Sequence, residues 1–425
     1  MRTRLFVLIL LLSVAPRLCA QTDFRKSIAD NPSLSGGIFT SYSYDSSADA
    51  PAPDGYKPFY ISHYGRHGSR WHTSFDVYGR VLGWFSEADE RGALTDLGRD
   101  VYERVKILAD DAEGRAGQLT PKGRDEHRGI AERMYRNYTE VFTAADGRRC
   151  RIETRSTLVP RCIMSMHSFC ERLKELDPSL DIVPDLGERY LTYLFSMKNI
   201  NAAREKSRCS IDAYFAEHID PARLVSALFD GEYAAKHLDG RDVMWLLFRL
   251  ASITQDVDYL GISLYDIFTD DELFELWSCD NVERYLQFGP SADYGEAAST
   301  DAHPLLRQII TEADEAMVSG DHAAFLRFGH DVNVVPLVSL LDVEGMNAHV
   351  PCTELDTLHE YWRTSEVTPM ATNVQFIFFR SDDSDEVLVK VLHNESPCRL
   401  PLPRDMFPYY RWADFRNYYL PLTEQ

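Results

Sequence analysis

Strand signals lie at the two ends of this chain, on either side of a long helical stretch, and that distribution limits the fold more than any composition figure. Near the start, Lys57 to His63 carries Phe59, Tyr60 and Ile61 as a short strand that ends at Gly65. From Arg149, "RCRIETRSTLVPRCIMSMHSFCERL" reads as strand, turn and helix, with Ile163, Met166, Phe169, Cys170 and Leu173 on one helical face, and "LDIVPDL" from Leu180 is another strand. The pattern from Arg189 to Ala298 is predominantly helical. Strands return in "AAFLRFGHDVNVVPLVSLL", which passes through Gly329 into a helical pattern, and in "NVQFIFFRS" and "EVLVKVLHN", a hairpin joined by "DDSD". Such alternation specifies an α/β fold, a three-layer α/β/α sandwich with an inserted, mainly helical cap. The expected division is an α/β domain of residues 21–188 and 299–425 and a cap of residues 189–298.

Residues 1–20 stand apart. Arg2 and Arg4 precede the apolar run from Leu5 to Ala15, and Pro16 to Ala20 offers a cleavage site, as in a secretory signal. Cys19 leaves a lipid-anchored alternative open. Residues 21–56, rich in Ser, Asp, Pro and Gly, read as an irregular lead-in. Further on, "ALTDLGRDVYERV" and "QLTPKGRDEHRGIAERMYRNY" begin alike, with Thr95 and Thr120 placed as helix caps. No later run approaches the ~18 apolar residues of a membrane span, so no membrane association is expected after cleavage.

Removing residues 1–20 takes away three arginines and lowers the formal charge from −21 to −24. So acidic a body argues against nucleic acid as a partner. Seven cysteines would remain, an odd number, so at least one thiol has no partner within the chain. None forms a Cys-x-x-Cys pair of the kind that holds structural zinc.

The densest chemistry is "YISHYGRHGSRWH", Tyr60 to His72, with three histidines and two arginines. Gly65 and Gly68 interrupt any helical His-x-x-x-His spacing, and no acidic residue stands among the histidines, so no metal is expected. An anion suits the segment better. Arg66 and Arg70 flank a glycine-permitted turn, where two guanidinium forks can converge on a phosphate while the histidine between them attacks phosphorus. His63 reads as a structural histidine.

Arg66-His67-Gly68-Ser69-Arg70-Trp71-His72-Thr73 resembles the Arg-His-Gly-x-Arg-x-Pro-Thr signature of the histidine acid phosphatases, with His72 where many members have Pro. "GHDVNVVPL" from Gly329 resembles that family's late His-Asp motif. Arg161 stands where the family has its third phosphate-binding arginine, ahead of Ser165 and Phe169. The resemblance implies a phosphoglycerate mutase-like sandwich and a cofactor-free phosphomonoesterase acting on small-molecule phosphate esters through a phosphohistidine. On it, His67 is the nucleophile, Arg66, Arg70, Arg161 and His330 bind the phosphoryl group, and Asp331 is the proton donor.

The implied substrate has two readings. "PFYISHYGRHGSR" resembles the inositol polyphosphate branch, whereas that branch usually has His-Ala-Glu where this chain has His330-Asp331-Val332, closer to the broad acid phosphatases. Lys198, Arg204, Lys206 and Arg208 are candidates for binding further phosphates, or form a solvated helix face. A non-catalytic phosphate- or glycan-binding protein is the reading from another class, against which Asp331 speaks: beside an anion site its charge serves no binder. The implied location is exported, periplasmic or extracellular.

Overall fold

The computed structural model describes residues 23–44, 51–143 and 151–424. The secretory signal expected at residues 1–20, with Cys19, and Cys150 lie outside the described residues. All six cysteines among the described residues carry free thiols.

Alternation along the strands sends side chains to opposite faces of one sheet. Its strands are β1 (Tyr56–Arg66), β2 (Arg151–Ser156), β3 (Asp181–Leu186), β4 (His322–Gly329), β5 (Asn373–Ser381), β6 (Ser384–His393), β7 (Ser396–Pro397) and β8 (Tyr409–Arg411). Their order is β3-β2-β4-β1-β5-β6-β7, with β8 also on β6. The β3-β2-β4-β1 half is parallel and β5 onward is antiparallel.

On one face, Ile61, Ile152, Leu326, Phe328 and Ile377 pack with Ile130, Met134, Met166 and Phe169 of the helices Pro121–Asn137 and Pro160–Leu176. Tyr60, Tyr64, Phe325, Phe376, Phe378 and Val389 face the other way, toward the helices His303–Ser319, Asp331–Leu340 and Trp412–Leu422. That gives the three layers. The two threonines act as read from the sequence: Thr95 Oγ1 accepts from Gly98 N at 2.9 Å and Thr120 Oγ1 from Gly123 N at 3.2 Å.

Within residues 189–298, the helix Lys198–His218 packs on Asp270–Phe288, Gly240–Ile253 on Asp76–Glu90, and Ala222–Leu228 on Asp96–Ala112. This array shares one hydrophobic cluster with the sheet, running from Leu247 and Phe248 through Tyr78 and Phe85 to Tyr64 and Phe376. The lead-in departs from its irregular reading. Asp23 caps the helix Phe24–Asp30 and Asn31 caps a 3-10 segment, Pro32–Phe39, which carries Ile38 and Phe39 to the carboxyl end of β1. Short capped turns of this kind leave too little periodicity to be seen in sequence.

Candidate active site

In a parallel sheet the residues that follow the strands emerge at one edge, where ligands of α/β proteins bind. The register makes neighbours of Arg66 and Gly329, and of Ser156 and Phe328, so the segments after β1, β4 and β2 leave the sheet side by side. His67 N donates to Gly329 O at 3.0 Å, and Thr157 N to Phe328 O at 3.1 Å. The sheet thereby places His67, His330 and Thr157 together.

The turn after β1 exists because two glycines touch. A Cβ on Gly68 would lie 2.4 Å from Gly123 O, and one on Gly123 would lie 2.2 Å from Ser69 O. The helix start at Thr120 is thus pressed against the turn, and Thr120 N and Oγ1 both donate to Ser69 O.

His67 is buried, and its Nδ1 lies 2.9 Å from Gly68 O. A carbonyl only accepts, so Nδ1 carries the hydrogen and Nε2 keeps its lone pair. Burial, and after it the charges of Arg161, Arg66 and Arg70, hold this imidazole well below its ordinary pKa. It is therefore neutral, in the tautomer a nucleophile requires.

Arg66 is fully buried; its Nη1 donates to Ile38 O at 2.7 Å and to Thr368 O at 2.8 Å, and its Nη2 lies 3.7 Å from Asp331 Oδ2. Arg70 donates to Trp71 O at 3.0 Å and sits 5.1 Å over the Phe39 ring. Burial, then Arg161 and Arg66, pull its pKa down to about 9, the sign of cations crowded without enough counter-charge. Arg161 Nη2 is 3.5 Å from His330 Nδ1, and the Nε atoms of Arg66, Arg70 and Arg161 have no hydrogen-bond partner.

The His330 ring centre is 5.8 Å from that of His67, and its Nε2 meets Thr157 Oγ1 at 3.1 Å. Burial and Arg161 lower its pKa to about 3. Asp331 opens the helix Asp331–Leu340. Burial pushes its carboxyl up, but Arg66, Arg284, Arg70 and His330 outweigh that and hold it well below the usual carboxylate range.

The six residues of the sequence reading, Arg66, His67, Arg70, Arg161, His330 and Asp331, therefore form one cluster. The other two histidines of the opening segment lie elsewhere. His63 is in the core against Phe169 and Phe328. His72 packs between Phe39 and Tyr78, with Nε2 donating to Arg249 O at 2.9 Å, which gives this departure from the family signature a packing role.

Of the four cations proposed on the helix Lys198–His218, Lys198, Lys206 and Arg208 are exposed, and Arg208 faces Asp212 at 3.8 Å. Arg204 is half-buried, bonded to Gln287, and close enough to Asp331 and Arg284 for their charges to act on it. Sequence reasoning missed Arg249 and Arg284, which share Asp280 at 2.8 and 3.3 Å. Both sit in helical stretches without a motif, so only the fold reveals them.

An imidazole ringed by arginines at the carboxyl ends of parallel strands marks an anion-handling α/β protein. The chain belongs to the histidine phosphatase superfamily (branch 2), whose model matches residues 82–394. That span begins after the Arg66–Arg70 turn, so the turn rests on its own residues and geometry. The chain is 22% identical over 337 residues to human multiple inositol polyphosphate phosphatase 1, covering 72% of this chain and 66% of that protein, just under two thirds of its length. Its fold is similar to that of Bifidobacterium longum multiple inositol polyphosphate phosphatase in complex with inositol hexasulfate, with TM-score 0.73, 19% identity, and coverage of 90% of this chain and 97% of the other. It is also similar to the phytase from D. castellii, with TM-score 0.68, 14% identity, and coverage of 92% and 85%.

Proposed function

We infer that this protein is an exported phosphomonoesterase that hydrolyses inositol polyphosphates through a phosphohistidine. The observation that carries the chemistry is His67, neutral, with Nδ1 tied to Gly68 O and three arginines around it. Its Nε2 attacks phosphorus while Arg66, Arg70, Arg161 and His330 hold the equatorial oxygens, and the ester oxygen leaves with a proton from Asp331. Water then attacks the phosphohistidine as Asp331 takes its proton, which frees phosphate and restores the site.

Asp331 is ionised in the empty site, held so by the arginines. A bound phosphate dianion offsets that positive field, so the carboxyl regains a proton in the complex, most readily in mild acid.

Arg204, Arg249 and Arg284 support a substrate with several phosphates, because they extend the positive surface from the reacting phosphate toward the helical array. The inositol phosphate names borne by the human and B. longum proteins point the same way. Export rests on the sequence of residues 1–20; among the described residues no helix is long and apolar enough to cross a membrane.

The test is phosphate release from phytate and from a small aryl phosphate with chelator present. His67→Ala should lower turnover at least about a thousandfold with both substrates. Arg284→Glu should raise KM for phytate much more than KM for the aryl ester. Equal changes would remove the inositol polyphosphate reading while leaving the phosphatase reading intact.

A further inference from the structure

The turn that carries the nucleophile rests on two carboxyl groups that the mechanism above does not use. Glu126, half-buried on the helix Pro121–Asn137, accepts from Ser69 N at 2.7 Å, from Ser69 Oγ at 2.8 Å and from Tyr42 N at 3.0 Å. Asp256 is fully buried and faces the Ser69 hydroxyl, yet neither of its oxygens completes a hydrogen bond.

Ser69 gives its one hydroxyl hydrogen to Glu126, so its oxygen is free to accept, and a protonated Asp256 is the group placed to donate. An ionised Asp256 would instead leave a buried carboxylate facing a lone pair, beside a second carboxylate. The leading charges on Asp256 come from the elements packed around it. Glu126 comes from the helix Pro121–Asn137, Arg66 and Arg70 from the turn itself, and the phenols of Tyr78 and Tyr265 from the helix Asp76–Glu90 and the turn Tyr265–Ile267. Both phenols are pushed upward by burial and stay neutral across the physiological range.

We propose that Asp256 is a positioning residue for the anion site: as the neutral acid it leaves Arg66 and Arg70 free for the phosphoryl group, and as the carboxylate it draws them away from it. The inference rests on the reading of Arg66 and Arg70 as phosphate ligands. Burial and the neighbouring Glu126 charge push the Asp256 carboxyl well above its usual range. In the empty site His67 and His330 are already neutral and Asp331 already ionised in mild acid, which leaves Asp256 and its neighbour Glu126, both raised by burial, as the carboxyl groups that titrate next as pH rises. Its ionisation would weaken anion binding as pH rises, which gives the enzyme an acidic working range from a residue outside the reacting shell.

The experiment is calorimetric binding of inorganic sulfate to the full chain between about pH 4 and pH 8, a range in which sulfate keeps a fixed charge and Arg70 keeps its own. Wild type should lose affinity by about tenfold or more toward the upper end, a coupling of about one pKa unit. Asp256→Asn, whose amide still donates to Ser69, should lose clearly less affinity than wild type over this range, the remaining decline coming from Asp331 and Glu126. A decline in Asp256→Asn equal to that of wild type would overturn the proposal. Should that variant not fold, Glu126→Gln provides the test. Without the neighbouring charge the decline moves to lower pH, and an unmoved decline rejects the role of Asp256. Failure of sulfate to bind at any pH strikes instead at the anion site itself.

Discussion

Along β4 and its neighbours the sheet carries one group of arginines in mid-strand and another at the carboxyl ends, and the two are partnered in opposite ways. In mid-strand, Arg327 pairs with Glu312, and Arg155 meets Glu312 at 2.5 Å and Glu153 at 2.8 Å. Two cations face two carboxylates. At the strand ends Arg66, Arg70 and Arg161 gather around a neutral histidine, and the ion pair there is the 3.7 Å approach of Asp331 to Arg66. Burial is similar, but charge balance separates a structural cluster from a binding site: a group of buried cations left short of anions is stabilised by the anion it receives.

The comparison is most directly broken at Glu312. Glu312→Ala leaves the buried Arg327 and the half-buried Arg155 without their shared partner and should cost about 3–5 kcal/mol in denaturant unfolding. Arg161→Met, which removes a cation from the crowded end, should leave stability unchanged or slightly higher while weakening phosphate inhibition. A large loss of stability in Arg161→Met would dissolve the distinction.

A smaller effect sharpens the role of the one acid at the strand ends. Asp331→Asn should lower kcat by about a hundredfold for an alkyl phosphate and only a few-fold for an aryl phosphate whose leaving group needs no proton. Equal losses would assign Asp331 to binding.

The effect that is smallest at any one step of pH concerns His127, which lies behind the turn against Phe328 with both ring nitrogens lacking a hydrogen-bond partner. Burial lowers its pKa to about 3, against an ordinary value of 6.5. The unfolded chain therefore takes up the proton first as pH falls below 6.5, and this histidine costs stability increasingly down to about pH 3. His127→Leu lacks that term, so its stability relative to wild type should rise by about 1 kcal/mol per pH unit through that window, as read by unfolding at several pH values.

What could be read from sequence follows the range of the interactions. The Arg66–Arg70 turn, the Thr95 and Thr120 caps and the β5–β6 hairpin are determined within a few residues, and their signals are local. Arg284, Arg249 and Asp256 reach the site from helices and turns far along the chain, and nothing beside them in sequence marks them. The four cations of Lys198–His218 show the opposite case: in sequence they read alike, as binding groups or as a solvated face, whereas helical geometry turns Arg204 toward the site and leaves its neighbours in solvent. His72 was opaque for the same reason, because its partner, Arg249 O, is 177 residues away.

The contact between Gly68 and Gly123 has a consequence for how such a site can be altered or transplanted. Two backbones in direct touch share one space, so the residue choices at these positions are not independent, and a side chain at either would lever the nucleophile's turn away from the helix that supports it. Moving the Arg66–Arg70 segment into another scaffold would therefore require moving the start of the Pro121–Asn137 helix with it, although about fifty residues of chain separate the two.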